Sequence, residues 1–144
     1  MGVRFLDGGS GYCHIVGNAE VKAEFLNKAK VNLQVAQICF DSGFYDACAN
    51  RAYYAAFQAA IAALADRGRK SDKNDHKWVQ ATFSGELINR QKVYPVHLKS
   101  YLMDMQVVRN QADYTDENVS KKLASQQFSK AKEMLEFIEK ELSK

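Results

Sequence analysis

Between Phe44 and Arg67 the chain is dominated by alanine, with Tyr53, Tyr54, Phe57, Ile61 and Leu64 spaced along one helical face. Alanine has the best helix propensity, and its small side chain lets neighbouring helices approach closely. The stretch therefore predicts a central, enclosed helix, with Gly68 as its C-cap. A chain built around such a helix must supply others to surround it.

Those others are legible from three- and four-residue apolar periods. Asn18 is a plausible N-cap for a first helix carrying Phe25, Leu26, Ala29, Leu33, Ala36, Cys39 and Phe40, which Ser42-Gly43 ends. Arg69 to Asn74 reads as a polar loop, and Asp75 as the cap of a third helix from His76 to about Ile88. His76 in that first turn is read as a capping or packing histidine. Pro95 suits the first position of a fourth helix ending near Tyr114. A fifth is expected from Thr115-Asp116-Glu117, with acidic residues at its positive end and an apolar period to Leu142. No segment alternates like a strand. The expected fold is all-α, an up-and-down bundle of four to five antiparallel helices over residues 18–144. Residues 1–17, with Gly8-Gly9-Ser10-Gly11, read as a flexible N-terminal arm.

Several function classes are excluded. No apolar run approaches membrane-spanning length and no signal peptide opens the chain, so no membrane partner is expected. Three cysteines without CxxC spacing (Cys13, Cys39, Cys48) argue for a reducing, cytoplasmic setting and against zinc or disulfides. None of His14, His76 or His97 follows a glutamate by three residues, which removes the di-iron bundle. There is no phosphate-cradling glycine loop, no GxSxG and no HExxH, and no cofactor or metal is implied. Scattered basic residues speak against a helix-turn-helix reader. A net charge of +3 permits an anionic partner without requiring one.

One residue breaks the pattern. In the fourth helix Leu98, Tyr101, Leu102, Met105, Val108 and Ala112 form an apolar stripe, and Arg109 falls inside it, about 40° from Met105. Arginine is almost never buried without a partner. Asp46 and Asn50 project within about 20° of the apolar face of the alanine-rich helix, so they are expected to meet it. Asp113, four residues on, can pair with it in the same helix. The cluster of Asp46, Asn50, Tyr54, Arg109 and Asp113 reads either as a polar clamp fixing helix register or as a ligand site. A guanidinium flanked by amides and hydroxyls is what phosphate binding uses.

Asn50-Arg51-Ala52-Tyr53-Tyr54-Ala55-Ala56-Phe57, then His76, then Arg109-Asn110-Gln111-Ala112-Asp113-Tyr114 resemble the HEPN superfamily of small helical bundles. The likeness runs over about residues 18–142. It implies a homodimer, often paired with a minimal nucleotidyltransferase in a toxin–antitoxin-like module. It also implies metal-independent endoribonuclease chemistry in the active members, where an arginine holds the scissile phosphate and a histidine four to six residues on moves the 2′-hydroxyl proton. Arg109 and Asn110 match the start of that motif. Positions 113 to 115 hold no histidine, and Tyr114 stands where one is common. Three readings follow. The first is a module binding a nucleotide, RNA phosphate or nucleotidyltransferase through Asp46, Asn50, Tyr54, Arg109 and Asp113. The second is a ribonuclease with a non-standard site of Arg109, Asn110 and Tyr114, and the third a purely structural dimeric bundle.

Overall fold

The computed structural model describes residues 18–70 and 75–144. The glycine-rich stretch 1–17, with Cys13 and His14, and part of the polar loop lie outside them. Five helices account for most of the described residues, and none of these residues forms a strand: α1 (Asn18–Asp41), α2 (Tyr45–Asp66), α3 (His76–Thr82), α4 (Tyr101–Tyr114) and α5 (Lys121–Leu142). The all-α bundle expected from periodicity is what the chain adopts.

Helix α2 is the hub. It packs against α1, α3, α4 and α5, and every residue from Ala59 to Ala65 is buried. A helix can be enclosed on all sides only where its side chains are small, which is what the alanines provide. Ser42-Gly43 turns the chain back, with Gly43 at a φ of 80° that favours glycine. Antiparallel α1 and α2 are then tied by Lys22–Asp66 at 3.0 Å and by Asn32 Nδ2 donating to Gln58 at 2.7 Å. Helix α5 runs alongside α2 in the same direction. Asp46 meets the start of α5 through Val119, and Arg67 meets its end through Glu141 at 3.0 Å.

Three details depart from the expected boundaries. Asp75 caps α3 as read, accepting from the Trp78 N–H at 2.8 Å, but after Thr82 the helix widens into a π-helix, Phe83–Arg90. Bonding over five residues sets Phe83, Leu87 and Ile88 together in the core. Pro95 opens a 3₁₀ turn, Val96–Ser100, before α4 begins, with buried Leu98 pinning that turn. Helix α5 starts at Lys121, not at Thr115, because Ser120 is its cap and accepts from the Leu123 N–H at 3.1 Å. Thr115 closes α4 by donating to the Gln111 carbonyl at 2.7 Å, and Asp116 and Glu117 lie in the linker.

Candidate functional site

Arg109 lies where α4 crosses α2, and its side chain is only 12% exposed. Its Nη2 donates to the Tyr54 hydroxyl at 2.7 Å and its Nη1 to Asn110 Oδ1 at 3.0 Å. Its Nε lies 3.2 Å from Asp113 Oδ2, yet the N–H is not aimed at that oxygen and has no acceptor among the described residues. The two charges touch without completing a hydrogen bond. Asp113 Oδ2 instead accepts from Asn50 Nδ2 at 2.9 Å.

Aromatic rings form the rest of the enclosure. The guanidinium carbon is 5.3 Å from the Tyr54 ring centre, 5.5 Å from Tyr114 and 5.7 Å from Tyr53. Ring faces attract a cation, and displaced water strengthens the attraction. Tyr53 is fully buried, whereas Tyr114 is 72% exposed. The arginine on the apolar stripe is thus held by one carboxylate, one phenol, one amide and three rings.

Asp46 does not join this group. Its carboxylate accepts from the Val119 N–H at 2.7 Å and fixes the linker before α5. Asn50, one turn further along α2, reaches Asp113 rather than the guanidinium itself. Tyr54 supplies the contact across the helix interface that was expected of Asp46 or Asn50. Asn110 touches the guanidinium as its helical neighbour, and Tyr114 contributes its ring.

His76 enters the same enclosure from α3. Its ring stacks on Phe57, with centres 4.4 Å apart, lies parallel to Tyr53 at 5.5 Å and stands edge-on to Tyr54 at 6.0 Å. Nδ1 shares a hydrogen with the Tyr53 hydroxyl at 2.5 Å. Burial and then the positive field of Arg109 hold its pKa below the ordinary 6.5, and Asp75 opposes them. Tyr53 is pushed up to about 12, chiefly by burial, so its phenol keeps its proton. Gln80 Nε2 donates to that phenol oxygen at 3.4 Å and to Gln106 Oε1 at 2.7 Å. With Gln80 on the oxygen, the phenol proton faces Nδ1, and neutral His76 carries its own proton on Nε2. The packing role read for His76 is one part of its place; the other is its approach to Arg109. That approach had no local signal, since it depends on how the segment after α2 returns toward the middle of that helix.

The enclosure sets a largely enclosed guanidinium and a neutral imidazole against the same two tyrosine rings, Tyr53 and Tyr54. Among the described residues no group of three or more His, Cys, Asp or Glu side chains is placed to hold a metal ion. None of their helices is long and apolar enough to cross a membrane.

None of the curated proteins compared with the chain matches it. The family profile described as the HEPN domain matches residues 23–142, which takes in all of α2 to α5, the Arg109 enclosure and most of α1. By the extent of that match, and by its all-helical bundle, the chain belongs to the HEPN domain family.

Proposed function

We propose that the protein binds a phosphate-bearing ligand, a nucleotide or an RNA phosphate, at Arg109. In this reading it works in the cytoplasm as a homodimer, in a toxin–antitoxin-like pair with a minimal nucleotidyltransferase. The observation that carries the binding reading is the incomplete neutralisation of Arg109. Among the described residues its one carboxylate partner is shared with Asn50, its Nε–H has no acceptor, and its remaining partners are an uncharged phenol and an amide. A guanidinium placed only to clamp two helices would be expected to use its whole donor fork on carboxylates and carbonyls. An incoming phosphate offers the acceptors that are lacking. Support for the homodimer comes from exposed Val107 and Tyr114, which share one face of α4 beside the site.

The test is thermal shift and calorimetry with AMP, ATP and a short RNA, on the parent and on Arg109→Leu. The reading expects binding by the parent and none by a folded Arg109→Leu protein. Equal binding by both would leave Arg109 as a structural clamp. Copurification with a small nucleotidyltransferase tests the pairing separately.

A second reading, metal-independent endoribonuclease, is favoured by His76. The histidine missing after Arg109 in sequence is matched by one brought from α3 into the same aromatic enclosure. In this chemistry His76 accepts the ribose 2′-hydroxyl proton as the oxygen attacks the phosphate at Arg109. The P–O5′ bond breaks, leaving a 2′,3′-cyclic phosphate and a 5′-hydroxyl that takes up a proton. Acting as the base requires the tautomer with the proton on Nδ1, reached when the Tyr53 hydroxyl turns its own proton away. RNA cleavage in EDTA, abolished by both Arg109→Ala and His76→Gln, is the expected result. Cleavage that survives His76→Gln removes the histidine from the mechanism.

A further inference from the structure

His76 meets the Tyr53 phenol, and behind the phenol stand two amides. Gln80 Nε2 donates to Gln106 Oε1 at 2.7 Å and, over a longer 3.4 Å, to the Tyr53 oxygen. The Tyr53 hydroxyl in turn lies 2.5 Å from His76 Nδ1. The row Gln106–Gln80–Tyr53–His76 joins α4, α3 and α2, and each bond in it takes its direction from the one before. Gln106 presents an oxygen, so Gln80 turns its nitrogen to the row. That nitrogen donates to the phenol oxygen, so the phenol proton goes to Nδ1, and the neutral ring keeps its own proton on Nε2.

The row has a second arrangement. A primary amide keeps nearly the same shape when its oxygen and nitrogen exchange places. When both amides turn over, Gln106 Nε2 donates to Gln80 Oε1, whose second lone pair accepts the Tyr53 proton. The phenol oxygen is then open to a His76 Nδ1–H, and Nε2 is left with its lone pair. The ring gains a proton at Nδ1 and gives one up at Nε2 by exchange with water, so its proton count is unchanged. Every hydrogen bond of the row is kept with its direction reversed. The outer ends of the amides have water within reach. Both glutamines are half-buried, Gln80 lines an open groove of about 690 Å³, and neither has a buried atom without a partner among the described residues.

We infer that Gln80, with its direction set by Gln106, is a positioning residue that selects which nitrogen of His76 can accept a proton. Its consequence for activity rests on the endoribonuclease reading, in which the base is the ring protonated on Nδ1. The arrangement in the structure is then the resting one, and the reversed row is the competent one. A glutamine that only filled space between α3 and α4 would leave the tautomer to the ring's own preference.

The experiment is proton–nitrogen correlation NMR of histidine-labelled protein at about pH 8, where the ring is neutral. The His76 signals are assigned by their loss in His76→Gln. A ring nitrogen that carries a proton and one that does not resonate far apart, so the spectrum reads the tautomer directly. In the parent, Nε2 is expected to carry the proton. Gln80→Glu puts an acceptor-only group behind the phenol and should move the proton to Nδ1. Gln106→Glu adds the same charge one place along the row but holds Gln80 as a donor, so the parent tautomer should persist. Gln106→Lys can only donate, should turn Gln80 over and should also move the proton to Nδ1; it carries the test if Gln80→Glu does not fold. A tautomer unmoved by Gln80→Glu and Gln106→Lys overturns the inference. So does a tautomer moved alike by Gln80→Glu and Gln106→Glu, because charge rather than bond direction would then be acting. RNA cleavage in EDTA judges the underlying reading separately, and should be several-fold faster in Gln80→Glu than in the parent. A tautomer that inverts with no cleavage by any variant removes the endoribonuclease reading and leaves the selector. Cleavage that needs His76 while Gln80→Glu leaves the tautomer in place keeps that reading and removes the selector.

Discussion

The Tyr54 hydroxyl accepts from Arg109 Nη2 at 2.7 Å, so a phenol on the central helix stands where a clamp would place a carboxylate. Tyr54→Phe removes that acceptor and keeps the ring against the guanidinium. Hydrogen bonds to charged groups contribute about 1.5–3 kcal/mol, and the variant should lose stability in that range by urea unfolding. A loss below a few tenths of a kcal/mol would mean that water replaces the phenol freely and that the site is wetter than its 12% exposure implies.

Asp113→Asn should move stability and affinity in opposite directions. The carboxylate is the one anionic partner of Arg109 among the described residues, and it also accepts from Asn50. Its neutralisation should cost about 1 kcal/mol of stability, the upper end for a partly exposed pair. The same change leaves the guanidinium without a competing anion, so phosphate affinity should rise several-fold. Calorimetry with AMP on the folded variant checks the sign. Reduced affinity would mean that Asp113 orients Arg109 for its ligand rather than competing with it.

Asp46→Ala should separate fold from site. Its carboxylate caps the Val119 N–H, a contact comparable to a helix N-cap, and its removal should cost about 1 kcal/mol. Ligand binding at Arg109 should not change. A variant that folds as well as the parent and binds less would return Asp46 to the site.

The contrast between Asp46 and Asn50 shows what a sequence can and cannot disclose. Both lie close to the apolar face of α2 on a helical wheel, and the wheel reports direction around an axis, not height along it. One turn of height sends Asn50 to α4 and Asp46 to the linker before α5. The alanine-rich hub, the Asp75 cap and the largely enclosed Arg109 were legible because each depends on neighbours within one or two turns. The π-helix after Thr82 was not, since its apolar spacing also satisfies an α-helix. Nor was the start of α5, where an acidic run resembles a first turn but Ser120 holds the cap. His76 was legible as a capping or packing residue, but not its partners; its stacking on Phe57 spans the connection from α2 to α3 and left no periodic trace.

Val107→Asp tests the homodimer. Val107 is 65% exposed and is followed two turns later on its face by Tyr114, 72% exposed. If a second copy covers that face, a carboxylate at its centre should convert a dimer to a monomer by light scattering without unfolding either chain. A parent that is already monomeric at micromolar concentration, or a dimer that tolerates the change, removes this face from the interface.

His76 titrates below 6.5 in the folded chain and near 6.5 when unfolded, because burial and Arg109 disfavour its charged form. Between those two values the unfolded chain binds the extra proton, so stability falls as pH drops below 6.5. Above 6.5 both states hold a neutral ring and this contribution is flat. Glu133 has the opposite charge type and a lower window. Its pKa is depressed by hydrogen bonds from His97 and Tyr101, so its contribution is present above 4.5 and lost as pH falls through its folded value. Urea midpoints measured from neutral pH downward should show the His76 slope first. His76→Gln should flatten that first slope and leave the Glu133 slope in place, whereas Glu133→Gln should do the reverse. If His76→Gln retains the full slope just below 6.5, another group carries the acid sensitivity, and the half-buried, neutral imidazole in the Arg109 enclosure is not the state in solution.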